Sequence, residues 1–124
     1  MRVRTRVFIE EQGVPPELEQ DDLDPGARHL LAEDSAGRPI GTLRILDGGQ
    51  IGRMAVLPAW RRHGVGSALM HTALARLARP GSPRPFLNAQ TRAIPFYRRF
   101  GFVVVGPEFM EAGIPHRRME LNDG

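Results

Sequence analysis

The chain reads as one α/β (α+β) domain, a mixed and mostly antiparallel sheet flanked by helices on both faces. Three observations predict it. Short apolar runs at 27–33, 39–46 and 50–57 are separated by Ser35-Ala36-Gly37 and Asp47-Gly48-Gly49, so three strands follow one another through tight turns. Residues 66–79 carry apolar side chains at helical spacing, and a short strand at 85–89 follows, which builds a strand-helix-strand unit into the same sheet and makes part of it parallel. With 124 residues there is room for a single core, and no repeat or change of composition divides the stretch 1–124.

The opening, 1–12, fits two patterns. Val3, Thr5, Val7 and Ile9 alternate as in a strand, whereas Val3, Val7 and Phe8 form a helical stripe. Pro15-Pro16 ends regular structure, and Glu17, Glu19, Asp21, Asp22 and Asp24 make an acidic loop or short helix closed by Pro25-Gly26. The helix at 66–79 places Leu69, Met70, Ala73, Leu74 and Leu77 on one face, which must pack on a sheet, and it stops at Pro80-Gly81. Another helix begins between Thr91 and Pro95, where proline is tolerated because it falls in the first turn, and Gly101 caps it. Residues 102–105 and 116–121 read as a closing antiparallel pair joined by a long loop over 106–115.

Composition removes several classes of function. There is no cysteine, so disulfides, thiolate metal sites and a cysteine acyl intermediate are excluded. His29, His63, His71 and His116 show no metal-ligand spacing, and no metal is expected. No apolar stretch approaches the length needed to cross a bilayer, and Met1-Arg2-Val3-Arg4 has charge without a following apolar segment, so a cytoplasmic protein is expected. All 17 basic residues are arginine, which raises the isoelectric point to 10.8 at a net charge of only +3. An arginine-rich surface suits nucleic acid, but these arginines are scattered, no helix carries a basic stripe, and one Tyr and one Trp leave little for base stacking.

The most informative stretch is Arg61-Arg62-His63-Gly64-Val65-Gly66, between the strand ending at Val56-Leu57-Pro58 and the helix that opens near Ser67. A chain passing from strand to helix through two glycines presents unpaired backbone N–H groups along the positive end of the helix dipole, which is a cradle for an anion. Glycine lets the backbone approach a ligand closely, and Arg61 and Arg62 add fixed positive charge suited to a pyrophosphate. The third glycine of a dinucleotide fingerprint would fall at Leu69, and no Gly-Lys-Ser/Thr occurs, so neither a Rossmann nor a Walker loop is present.

The pattern Arg-x-x-Gly-x-Gly, preceded by Arg53-Met54-Ala55-Val56-Leu57-Pro58, resembles the coenzyme A motif of the GNAT superfamily of N-acetyltransferases. Ala89-Gln90-Thr91-Arg92-Ala93-Ile94-Pro95-Phe96-Tyr97-Arg98-Arg99-Phe100-Gly101-Phe102 is similar to its second signature. Val7-Phe8-Ile9-Glu10-Glu11-Gln12-Gly13-Val14-Pro15 and Phe109-Met110-Glu111-Ala112-Gly113-Ile114-Pro115-His116 resemble its ElaA-like branch. Four matches in order are far more specific than one.

The resemblance implies the GNAT acyl-CoA acyltransferase fold, with 1–12 in the first helix and the first strand of the family's sheet missing; either the start of the gene is assigned too late, or the next strand has an exposed edge that a second subunit could cover in a homodimer. It implies acetyl-CoA as co-substrate, no metal, and direct attack by a small-molecule or peptide amine in a ternary complex. Arg61, Arg62, His63, Gly64, Val65, Gly66 and Ser67 would hold the pyrophosphate, the backbone of Met54, Ala55 and Val56 the pantetheine amides, and Gln90 would touch the cofactor. Tyr97, the one tyrosine, would protonate the departing thiolate. A base must deprotonate the amine; Glu11, His29, Glu111 and His116 are chemically able, and Glu11 in the first-helix signature is placed first. Two other readings stand beside this one, a non-catalytic acyl-CoA-binding module and an arginine-rich nucleic-acid binder.

Overall fold

The structure is a computed structural model and describes residues 2–4 and 27–122. Its hairpins close where turn chemistry demands. Asp34 Oδ1 accepts the N–H groups of Ala36 and Arg38, both at 2.9 Å, and Gly37 takes φ 80°, which joins β1 (Arg28–Glu33) to β2 (Pro39–Ile45). The Arg38 amide, chiefly, holds the Asp34 carboxyl below its ordinary pKa. Gly49 at φ 93° closes the next turn, with Leu46 N–H on Gln50 O at 2.9 Å, and opens β3 (Gln50–Val56).

Among the described residues seven strands form one sheet, in the order β1-β2-β3-β4-β7-β5, where β4 is Phe86–Gln90, β5 is Phe102–Val104 and β7 is Ile114–Leu121. The short β6 (Phe109–Glu111) also pairs with β7, and among the described strands only β3 and β4 run parallel to each other. β6 lies inside the stretch expected to be a plain loop, and β7 starts two residues earlier than expected. A three-residue strand is too short to show alternation, and Ala112 and Gly113, both at positive φ, turn it straight into β7.

Among the described residues there are three α-helical segments, α1 (Arg2–Arg4), α2 (Val65–Leu77) and α3 (Ile94–Arg98). Leu69, Met70, Ala73 and Leu77 of α2 are buried against Leu43, Ile45, Leu87 and Met119, which makes the main core. Burial of each large side chain is worth about 1.5–3 kcal/mol. On the other face Val3 packs with Ala55 and Leu57, so β2, six of whose seven residues are buried, is covered on both sides. Helices therefore flank the sheet on both faces, as the alternation of elements predicts. Gly101, at φ 91°, ends α3 with its N–H on Arg98 O at 3.1 Å. The remainder of the expected first helix, Glu11 within it, and the acidic stretch 17–24 lie outside the described residues.

One irregularity in β3 governs the rest. Thr42 faces Ala55 and Arg44 faces Gly52, so three steps along β3 oppose two along β2, and Arg53 in the bulge has φ 47°. The extra residue inverts the alternation: Ile51 points into the α2 core, whereas beyond the bulge Met54 does so and Ala55 turns to the α1 side.

Candidate active site

A bulge bends its strand, and the consequence appears on β3's other edge. The parallel ladder with β4 has two positions, Gln50 with Phe86 and Ile51 with Leu87, although β3 continues to Val56 and β4 to Gln90. Past Ile51 the strands diverge and leave a gap lined by the backbone of 52–56 on one side and 88–90 on the other. A strand edge that faces such a gap can pair with an extended chain of amides. Met54, Ala55, Val56 and Gln90 all flank it.

Beyond β3 the chain makes a 3-10 turn at Pro58–Trp60 and then two left-handed residues, Arg62 at φ 65° and Gly64 at φ 80°, before α2. The first helical bond nearest the turn is Ala68 N–H on Gly64 O at 3.0 Å, and no side chain caps the helix, so the amides of Val65, Gly66 and Ser67 face outward from its positive end. Space in front of Gly64 is open: a Cβ there would meet nothing within 4 Å. Gly66 is different, because a Cβ would lie 3.5 Å from Cζ of Phe96, which seats α3 against the first turn of α2. Arg61 Nε donates to Val56 O at 3.1 Å, and His63 stands edge-on to Trp60 with ring centres 5.9 Å apart.

The remaining site residues gather at the far end of β4. The chain leaves Gln90 through a 3-10 turn at Thr91–Ala93 and enters α3, where the Tyr97 ring packs on the main core between Phe96 and Phe102, at 5.2 Å and 6.4 Å. Burial pushes the Tyr97 phenol up to about 12, so it is protonated at neutral pH. Gln90 Oε1 accepts Arg92 Nε at 3.1 Å, and Gln90 stands directly opposite His116 of β7. His29 is exposed on β1, three strands away along the sheet from β4. Two other candidate bases, five positions apart in sequence, are brought together by the β6–β7 turn: His116 Nε2 lies 3.5 Å from Glu111 Oε2. Spacing alone gave no sign of that pairing.

The GNAT acetyltransferase domain matches residues 3–122 of the sequence. The chain belongs to the GNAT acetyltransferase family. It is 43% identical over 122 residues to a protein of Bacillus subtilis (strain 168) named as an uncharacterized N-acetyltransferase, YjcF, covering 94% of this chain and 86% of that one. Its fold is that of a crystal structure of an acyl-CoA N-acyltransferase from Pseudomonas aeruginosa, with TM-score 0.85, 35% identity, and 98% and 86% of the two chains covered. Escherichia coli ElaA superposes with TM-score 0.84 and 30% identity over 98% of this chain and 86% of its own, which supports the ElaA-like branch. The chain is thus an acyltransferase enzyme, and GNAT enzymes in general use acetyl-CoA. Among the described residues no helix is long and apolar enough to cross a membrane, and no three His, Asp or Glu side chains converge as metal ligands would.

Proposed function

We propose that this GNAT enzyme is a single-domain, acetyl-CoA-dependent N-acetyltransferase that moves an acetyl group to a primary amine by direct attack in a ternary complex. The observation that carries the reading is the loss of the β3–β4 ladder after Ile51 and Leu87, immediately before the uncapped N-terminus of α2. A gap between two strands beside an anion cradle fits an extended ligand with two amides and a pyrophosphate, and the open space at Gly64 leaves room for it. When bound, acetyl-CoA supplies the acetyl group as an activated thioester. The amides of Val65, Gly66 and Ser67, with Arg61, Arg62 and His63 around them, hold the pyrophosphate, and the β3 backbone from Met54 to Val56 holds the pantetheine. Gln90 at the end of β4 orients the thioester end, and the protonated Tyr97 gives its proton to the departing sulfur. The absence of cysteine from the chain supports transfer in one step.

The test joins binding to turnover. A ligand selective for the folded state stabilises by about 2.7 kcal/mol at a hundredfold excess over its dissociation constant, so acetyl-CoA should raise the melting temperature with concentration. Gly64→Val forces a branched side chain into a left-handed position and into the open space, and should abolish that rise. A rise that survives Gly64→Val would place the ligand elsewhere. Acetyl-CoA binding without thiol release across a panel of amines would show a non-catalytic module instead.

A further inference from the structure

The sheet separates the candidate residues by face. Leu87 and Ala89 of β4 point into the α2 core, as do Met119 and the Tyr97 ring, so Phe86, Asn88 and Gln90 occupy the opposite face. Residues paired across an antiparallel ladder share a face, which places His116 and Phe109 in one row with Gln90. The cation–π contact of Arg118 over the Phe86 ring, at 4.1 Å, is on the same face. At the gap end of β4, Tyr97 therefore lies on the α2 side and His116 on the other.

His116 is held in a form suited to take a proton. Its ring is buried and stacked on Phe109, with centres 5.9 Å apart and planes 24° apart. Nδ1 lies 2.7 Å from Ile114 O, and because a carbonyl only accepts, Nδ1 carries the hydrogen and the lone pair of the neutral ring is on Nε2. Nε2 faces the Glu111 carboxylate at 3.5 Å, and the Glu111 side chain is 46% exposed. A buried acceptor nitrogen is thus reached from solvent past a carboxylate. The other groups around it, among the described residues, are Gln90 with Arg92 bonded to it from the β4 side, and Arg118 on β7, which is paired with Glu120 at 3.1 Å. Neither arginine is bonded to Glu111 or His116.

We propose that Glu111 and His116 form the acceptor site of the acetyltransferase, where Glu111 binds a cationic primary amine and His116 Nε2 takes the proton that frees its lone pair. The inference rests on the N-acetyltransferase reading and deepens it. As the N–C bond forms and the C–S bond breaks, the nitrogen loses two protons, the first to Nε2 and the second to water. One proton reaches the sulfur through Tyr97, which regains it from water, His116 passes its own to solvent past Glu111, and one proton is released per turnover.

The experiment uses n-butylamine as probe acceptor, with thiol release from acetyl-CoA as the rate, coenzyme A calorimetry alongside, and imidazole NMR of the coenzyme-saturated chain. His116→Gln should keep coenzyme affinity while kcat/KM falls about 10²- to 10⁴-fold and the acid limb of the pH profile disappears. Glu111→Gln, at an exposed position where folding is not at stake, should raise KM for n-butylamine more than it lowers kcat. In the NMR arm, n-butylammonium should move the His116 ring signals in the parent chain and not in Glu111→Gln, and n-butanol should move neither. Unchanged turnover in His116→Gln, or no ring response to n-butylammonium in a chain that binds coenzyme A, overturns the acceptor site and leaves the acetyl-CoA reading intact. Failure of the unmodified chain to bind coenzyme A overturns the acetyl-CoA reading itself.

Discussion

Arg61 reaches back across its own turn to bond the carbonyl of Val56, Nε to O at 3.1 Å, and so ties the last residue of β3 to the loop that opens α2. The neighbouring Arg62 stands exposed at φ 65°, a conformation that disfavours a side chain by about 1–2 kcal/mol. The two arginines therefore differ in setting, one bonded across the turn and the other exposed beside it.

Arg62→Gly separates the two. Relief of the left-handed strain offsets the added chain entropy of glycine, so stability should stay within about 1 kcal/mol of the parent. Loss of one charge-assisted contact to a phosphate should weaken coenzyme A binding about tenfold. Arg61→Ala should lower stability and affinity together. Equal coenzyme affinity in all three proteins, measured by calorimetry, would remove both side chains from the site.

Gly41 of β2 sets how closely α2 approaches the sheet. A Cβ there would fall 2.8 Å from Val65 Cγ1 and 3.2 Å from Leu69 Cδ1, both in the first turns of α2. Gly41→Ala should destabilise by about 1–3 kcal/mol through overpacking, and Val65, stiff at χ1, cannot turn away easily. The same push moves the cradle, so coenzyme affinity should fall although Gly41 touches no ligand. Denaturant melts with and without coenzyme A measure both effects.

Tyr97→Phe removes only a hydroxyl. If the phenol protonates the departing sulfur, kcat should drop about 10²- to 10⁴-fold with coenzyme affinity nearly kept. A parallel loss of binding would mean that the ring between Phe96 and Phe102 is structural.

The same residue predicts a simple alkaline transition. Tyr97 is the single tyrosine, every basic side chain other than histidine is arginine, and there is no cysteine, so between pH 10 and 12 it is the one side chain that titrates. Burial raises its pKa from 10.0 to about 12. In this window the unfolded chain has already released the proton that the folded chain retains, so stability falls as pH rises, by roughly 3 kcal/mol at most. Tyr97→Phe should flatten that slope in chemical melts, and tyrosinate absorbance in the folded parent should rise near pH 12 rather than near 10.

β1 is the terminal strand of the sheet among the described residues, and its Leu31 is 56% exposed. An apolar edge invites strand addition, so the chain is expected to self-associate in solution. Light scattering should give a mass above 13.8 kDa for the parent and a lower one for Leu31→Glu. A parent monomer at high concentration would count against pairing through this edge.

The α/β architecture, its hairpins and the cradle were legible in the residues, because each depends on neighbours in sequence. Asp34 and Gly37 shape one turn locally, Gly49 another, and Gly64 with Gly66 opens a helix whose apolar face repeats at its own period. Family resemblance supplied the coenzyme motif, which spacing alone could not. Three decisive features belong to tertiary structure. The bulge at Arg53 is a mismatch of register between β3 and β2, and register is a relation between two strands that neither spells alone. The gap beyond Ile51 and Leu87 follows from that bulge, since bending one strand decides where its other edge loses its partner. Glu111 and His116 were legible singly, as two of four chemically able bases, but not as a pair; they meet because a three-residue strand and a left-handed turn at Ala112 and Gly113 fold them onto one face of the sheet. Chemistry confined to a turn or a helix end was therefore readable from the sequence, whereas chemistry that needs two strands to meet was decided only by packing.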